Sequence, residues 1–70
     1  MTEIKIDTEY IKLGQLLKLA GVATSGVEAK LMILEGIIIV NDEIALQRGK
    51  KLRDGDIIKV QEGEYKIVKG

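Results

Sequence analysis

Several residue types that stabilise small domains or act in catalysis are missing from this sequence. Its 70 residues include no cysteine, histidine, proline, tryptophan or phenylalanine. Without cysteine there is no disulfide, and without cysteine and histidine there is no ordinary zinc site. The same absences remove the usual general base and the thiolate nucleophile of enzymes. We therefore predict a protein that is not an enzyme, with no catalytic residues, no metal site and no cofactor.

Long apolar runs are also missing. No stretch approaches the roughly 18 apolar residues that a membrane-spanning helix requires. The first residues, Met1 to Lys5, include an acid and lack the apolar core of a signal peptide. A chain of this length is sufficient for one domain. We expect a single domain over residues 1–70, monomeric and cytoplasmic, that does not contact a membrane.

The residues that are present are mainly aliphatic and charged. Hydrophobic residues make up 46% of the chain, yet the aromatics are only Tyr10 and Tyr65, so leucine, isoleucine and valine must form the core. The formal net charge is zero. Residues 12–53, however, contain seven basic and four acidic residues, a net charge of +3. A positive middle segment can present a basic face, which attracts phosphate.

A helix pair is predicted in the first half. Residues 3–6 alternate as in a short strand, and apolar residues then recur at the spacing of one helical face: Leu13, Leu16, Leu17 and Ala20. Asp7 or Thr8 is the expected cap of this helix, and Gly21 its expected end. Ser25 and Glu28 have the spacing of a capping box that opens a second helix, which runs to about Glu35.

Short strands are predicted after Gly36, where the apolar period changes to two. Asn41 and Asp42 favour a tight hairpin turn between strands 37–40 and 43–45. The remaining elements are a basic loop at 47–51, a turn at 52–56, a strand at 57–60, a turn at Glu62 and Gly63, and a last strand at 65–68. The order predicts an α+β domain whose helix pair packs on a small antiparallel β-sheet.

Five segments resemble one known family. They are residues 11–17, residues 24–30 and the pair Glu35 and Gly36 in the helical half, and residues 40–43 and 52–58 in the sheet. Together they are similar to the RNA-binding module first known from the fourth protein of the small ribosomal subunit, the αL RNA-binding fold. The likeness covers about residues 11–60 and is greatest to small stand-alone members, which consist of little besides this domain.

The resemblance implies a function and a set of site residues. It implies recognition of structured RNA, ribosomal RNA in particular, by the helix pair and the basic loop, with a role in ribosome assembly and a ribosomal protein as a further partner. Carried over by position, the RNA-binding residues are Lys12, Gln15, Lys18, Thr24, Ser25, Lys30, Arg48, Lys50 and Lys51.

The chemistry of these residues is compatible with that role. Arginine grips phosphate with two parallel hydrogen bonds and lysine acts as a point charge, although most charged loops are simply solvated. Thr24 and Ser25 at a helix start could offer hydroxyl and N–H groups to a phosphate, or could act only as caps. Two separated tyrosines are too few for the stacking platform of a single-strand binder. We therefore expect recognition of folded RNA through its shape and backbone.

Two departures from the family pattern weaken the case for RNA contacts on helix two and shift weight to the loop at 47–51. Gly26 and Val27 stand where typical members have a basic pair, and Leu31 and Leu34 replace polar residues late in helix two. If exposed, these leucines would indicate a protein contact. A protein adaptor that uses Leu31, Met32 and Leu34 is accordingly one alternative function.

A second alternative comes from another class of proteins. Residues 40–43 and 52–56 also resemble the β-grasp sulfur carriers, which act through a C-terminal Gly-Gly. This chain ends with the single glycine Gly70, and both predicted helices precede the sheet segments. We therefore favour the RNA-binding interpretation.

Overall fold

Two helices follow the first two strands, and most of the strands come after them. The computed structural model describes residues 1–61 and 63–70; the predicted turn residue Glu62 lies outside these ranges. The elements are β1 Thr2–Ile6, β2 Ile11–Lys12, α1 Leu13–Leu19, α2 Gly26–Leu34, β3 Ile38–Val40, β4 Glu43–Ile44, β5 Lys51–Leu52, β6 Ile57–Val60 and β7 Gly63–Lys69. The predicted α+β class is confirmed.

The strands form one large and one small sheet. The large sheet has the order β1-β7-β6-β3-β4, and β2 pairs with β5 in a separate two-stranded ladder. The pairs β3–β4, β3–β6 and β6–β7 are antiparallel, but β1 runs parallel to β7 from Thr2 beside Tyr65 to Ile6 beside Lys69. The sheet is therefore mixed and not wholly antiparallel. Alternation along β1 showed which residues share a face, but it does not specify the partner or direction of a strand.

The core lies between the helix pair and one face of the large sheet. Its largest fully buried side chains are Leu13, Leu16, Leu17, Ile33, Ile38, Leu52, Ile58 and Ile67. No charged or polar residue is buried in the part of the chain that the structure describes. Along β6, Ile58 and Val60 face this core while Lys59 is exposed. The opposite side, called here the outer sheet face, carries Lys5, Lys59 and Lys66.

The start of α1 differs from the prediction. Neither Asp7 nor Thr8 caps it: Lys12 occupies the cap position, and the Thr8 hydroxyl donates instead to the Tyr10 carbonyl at 2.9 Å. The short strand β2 separates Thr8 from the helix. The predicted end is correct, because Gly21 follows the last turn with a positive φ of 77°, which favours glycine.

The start of α2 contains half of the predicted capping box. The Ser25 hydroxyl accepts a hydrogen bond from the Glu28 amide at 3.1 Å, as predicted. The Glu28 carboxylate, however, accepts from the amide and the hydroxyl of Thr24, at 3.1 and 3.3 Å, and not from the Ser25 amide. Thr24 is therefore held against the first turn of α2. The helix ends at Leu34, with Glu35 as its C-cap.

Asn41 and the carboxylates of the 52–56 turn join the hairpin to the last strands. Asn41 has the left-handed backbone predicted for the turn, with φ of 50°. Its side-chain NH₂ donates to Asp56 at 3.0 Å, and the other oxygen of Asp56 accepts from the Arg53 amide at 2.8 Å. Asp54 accepts from the Lys69 amide at 2.9 Å. Both carboxylates thus have structural partners.

Replacing Asp56 by alanine is expected to destabilise the domain by about 1–3 kcal/mol, because two donors lose a charged acceptor. Urea unfolding followed by circular dichroism measures the change. Asp7→Ala is the control, since Asp7 is exposed and makes no hydrogen bond within the described residues. A double-mutant cycle with Asn41→Ala should be non-additive; additive losses would contradict the proposed coupling.

Candidate nucleic-acid interface

A groove of about 310 Å³ is lined by α1, the loop before β5 and the start of α2. We call it the basic groove; its lining residues are Lys12, Gly14, Gln15, Lys18, Gly26, Arg48 and Gly49. Lys12 precedes α1 directly, Gln15 and Lys18 lie on its exposed side, and Arg48 comes from the loop. Four of the nine predicted site residues therefore meet in one place.

Backbone hydrogen bonds fix the loop on α1. The Leu13 amide donates to the Lys50 carbonyl at 2.8 Å, and the Gly14 amide donates to the Arg48 carbonyl at 3.0 Å. These amides belong to the first turn of α1, where helices have no internal acceptor. The loop thus performs the capping that Asp7 or Thr8 was predicted to perform. As a consequence, Arg48 is held beside Lys12 and Lys18.

The other two cations of the predicted loop have different surroundings. Lys51 belongs to strand β5 and not to the loop, and it pairs directly with Lys12 of β2. Like charges on directly opposed residues of a ladder repel each other, and an anion between them would relieve the repulsion. Lys50 lines a separate depression that also contains Glu43. The loop cations therefore do not form one cluster.

Residues at the start of α2 are only partly available to a ligand. Thr24 is engaged with Glu28, and the Ser25 oxygen accepts from the Glu28 amide. The Glu28 carboxylate lies at the helix start, where a phosphate would compete with it. Lys30 is exposed and lies one helical turn beyond Gly26 of the basic groove. It could reach an RNA that extends along α2.

Tyr10 and Arg53 were not among the predicted site residues. The ring centroid of Tyr10 lies 4.9 Å from Nζ of Lys51 and 5.7 Å from Cζ of Arg53. These are distances of cation–π contacts. The antiparallel pairing of β2 with β5 brings Tyr10 and Arg53 together, and no local sequence pattern indicated that pairing.

The acidic residues that form ion pairs lie outside the basic groove. Within residues 1–61 and 63–70, the ion pairs are Lys59 with Asp42 at 3.7 Å and Lys69 with Glu9 at 2.6 Å. Lys12, Lys18 and Arg48 are in neither of these pairs. Their charges are therefore available to a phosphate backbone, although the whole chain is neutral.

Glu9 lines a hollow together with Lys12 and Lys18, and its carboxyl group has a shifted pKa. The hydrogen bond from Lys69 and the charge of Lys69 lower the pKa of Glu9 below 4.5, and Arg53 adds to this effect. Because the pKa of Glu9 is lower in the folded than in the unfolded chain, its carboxylate stabilises the fold at a pH above the unfolded-state pKa. This stabilisation is lost as the pH falls through the folded-state pKa.

Glu9→Gln is accordingly expected to lower the unfolding midpoint slightly at neutral pH. The effect is small because the pair is exposed. The difference from wild type should shrink as the pH falls below about 4.5, where the carboxylate of the unfolded chain becomes protonated. Urea unfolding at a series of pH values measures this; a difference that grows on acidification would contradict the assignment.

Comparison with known proteins identifies the family. The family model described as "S4 domain" matches residues 4–68, nearly the whole chain. This chain belongs to the S4 domain family. It is also 47% identical over 66 residues to the "Probable ribosome maturation protein RlbA" of Bacillus subtilis (strain 168), and the alignment covers 93% of each chain.

The assignment confirms the resemblance inferred from the sequence and extends it beyond residues 11–60. It identifies the fold as an S4 domain of the RNA-binding kind, and the match spans nearly the whole of this chain. It also favours this family over the β-grasp alternative. In the described part of the chain, no helix has the length and apolar character needed to cross a membrane.

The apolar residues of α2 are arranged as two separate groups. Val27, Leu31 and Leu34 are 70%, 54% and 63% exposed, and their spacing places them along one side of the helix. Met32 instead packs against the core. The exposed stripe of the S4 domain is therefore Val27, Leu31 and Leu34, and the half-buried Met32 does not belong to it.

Proposed function

We propose that this S4 domain protein binds structured RNA, with ribosomal RNA as its target, and catalyses no reaction. The observation that carries the proposal is the convergence of Lys12, Lys18 and Arg48 on one groove. The name of the Bacillus subtilis relative refers to ribosome maturation, which supports a role in ribosome assembly. We propose that the protein acts there in the cytoplasm as a monomer.

The basic groove suits a folded RNA backbone. Arg48 can hold one phosphate with two hydrogen bonds, while Lys12 and Lys18 supply point charges on either side of Gln15. The Gln15 amide oxygen receives only a long hydrogen bond, 3.4 Å from the Lys12 amide. Its NH₂ group can therefore donate to a phosphate or a 2′-hydroxyl, the group that distinguishes RNA from DNA.

The remaining predicted residues extend this surface in two directions. Lys51 lies opposite Lys12, so the two together can hold one phosphate between them. Lys50 can contact backbone that continues past the loop toward β4. On the other side, the Ser25 hydroxyl hydrogen, Thr24 and Lys30 can contact a strand that follows α2. The whole set would cover a footprint wider than the groove itself.

Titration of the purified protein with structured ribosomal RNA fragments at low and moderate salt tests this function. We expect binding that weakens steeply with salt, because phosphate contacts release counterions. Single-stranded RNA of equal length should bind more weakly. Absence of binding at low salt would refute the proposal, and binding that is insensitive to salt would argue against the basic groove as the site.

A protein contact through α2 is a second candidate function, compatible with the first. The exposed stripe Val27, Leu31 and Leu34 is an apolar patch of the kind that often marks an interface. Its proposed partner is a ribosomal protein beside the bound RNA. The same stripe could serve an adaptor that binds protein alone.

Replacing Leu31 and Leu34 together by glutamine tests the stripe. Because both side chains are exposed, we expect the free energy of unfolding to change by no more than about 0.5 kcal/mol per substitution. Affinity for ribosomal particles should fall, while affinity for naked ribosomal RNA should stay unchanged. If wild type and the double variant bind ribosomal particles with equal affinity, the stripe is excluded as a contact.

A further inference from the structure

A second, shallower hollow adjoins the basic groove on the side of the first loop. Its lining residues are Thr8, Glu9, Tyr10, Ile11, Lys12, Gln15, Lys18 and Leu19, and its volume is about 910 Å³. We call it the Tyr10 hollow. It shares Lys12, Gln15 and Lys18 with the basic groove, so a ligand bound in the groove can continue into the hollow.

The hollow combines apolar surface with cations. Tyr10, Ile11 and Leu19 are its apolar members, and Leu19 is 60% exposed, unlike the other leucines of α1. Lys12 and Lys18 lie at the side shared with the groove. Such a mixture fits a ligand with one flat apolar part and one anionic part, because stacking and charge then act on different atoms.

The tyrosine ring is held in position before any ligand arrives. The Tyr10 carbonyl accepts from the Thr8 hydroxyl at 2.9 Å, and β2 begins at the next residue. Lys51 and Arg53 lie over the ring at 4.9 and 5.7 Å, yet neither lines the hollow. Tyr10 itself lines the hollow and is 37% exposed, so part of its side chain is open to a ligand. An ordered ring loses little freedom when a base stacks on it.

We propose that the Tyr10 hollow receives one unpaired nucleotide of the bound RNA. Its base stacks on Tyr10 beside Ile11 and Leu19, and its phosphates lie on Lys12 and Lys18. This inference rests on the proposed RNA binding and narrows the target to folded RNA with a bulged or flipped nucleotide at the contact. One aromatic platform accommodates one base, which agrees with the scarcity of aromatics in the chain.

Glu9 also lines the hollow, and its carboxylate would oppose a phosphate placed beside it. The Lys69 ammonium lies 2.6 Å from that carboxylate and compensates its charge. Lys12 and Lys18 line both the hollow and the basic groove, whereas Glu9 lines only the hollow, so the phosphates are placed on the side shared with the groove. The Glu9 carboxylate and the Gln15 amide can instead meet the polar edge of the base.

Two RNA hairpins with the same stem test the proposal, one fully paired and one with a single bulged 2-aminopurine. Wild type should bind the bulged hairpin about tenfold more tightly, as expected for one base stacked on an aromatic ring. Binding should also quench the 2-aminopurine fluorescence. Tyr10→Leu should lose the preference and the quenching but keep the salt dependence, whereas Tyr10→Phe should keep all three.

The outcomes separate this inference from the proposed function. Equal affinity of wild type for the two hairpins, or quenching that persists in Tyr10→Leu, would overturn the nucleotide site and leave RNA binding intact. No binding of either hairpin at low salt would overturn both. Circular dichroism shows whether the Tyr10→Leu variant is folded. A folded variant that still prefers the bulged hairpin would likewise refute the role of Tyr10.

Discussion

Replacing Lys12, Lys18 and Arg48 together by alanine is expected to lower the affinity for structured RNA by about ten- to a hundredfold at moderate salt. The slope of log affinity against log salt concentration should also become less steep by about two to three, because each lost phosphate contact reduces the slope by nearly one. Filter binding or fluorescence anisotropy at several salt concentrations measures both. All three side chains are exposed, so the fold should persist.

A matched control variant distinguishes the effect of where the positive charges lie from the effect of how many there are. Lys5, Lys59 and Lys66 lie on the outer sheet face, and their replacement by alanine removes the same three positive charges. This control should retain nearly all of the affinity and of the salt dependence. If both triple variants lose affinity equally, the protein attracts RNA only through its total charge, and the basic groove is not the site.

Leu17→Ala is expected to have the largest effect on stability, a loss of about 2–5 kcal/mol. The side chain of Leu17 is fully buried between the helices and the sheet, so truncation leaves a cavity as well as removing apolar contact. A domain of this length has a free energy of unfolding of only about 4–10 kcal/mol. The variant should therefore unfold at a much lower urea concentration, or be partly unfolded in buffer.

Leu19→Ala is the matched control, because it makes the same chemical change two residues further along α1. Leu19 is 60% exposed, so its truncation should change the free energy of unfolding by no more than about 0.5 kcal/mol. Urea unfolding of both variants measures the contrast. Similar losses at the two positions would mean that burial does not determine the stability of α1.

Local patterns predicted the elements well where short-range sterics and hydrogen bonding determine them. The spacing of Leu13, Leu16 and Leu17 correctly gave the buried side of α1. Ser25 caps α2 as its spacing with Glu28 indicated, and the turn at Asn41 and Asp42 has the predicted left-handed backbone. Each of these features depends on residues within one or two turns of chain, so the sequence carries it directly.

Long-range contacts decided the features that the sequence left open or gave wrongly. The carbonyls of Arg48 and Lys50, not a local side chain, cap α1. Parallel pairing of β1 with β7 joins the two ends of the described fold. The strand position of Lys51 and its pairing with Lys12 also depend on how distant segments dock.

The candidate site was likewise determined in part by the sequence and in part by the tertiary structure. The sequence alone determined the residue types: a positive middle segment, an aliphatic core, and a motif order that identified the family. Only the tertiary structure brought Lys12, Lys18 and Arg48 to one groove and placed Tyr10 beside Lys51 and Arg53. The reason is physical, since periodicity along a chain fixes which side of an element is buried, whereas packing between elements fixes which exposed side chains become neighbours.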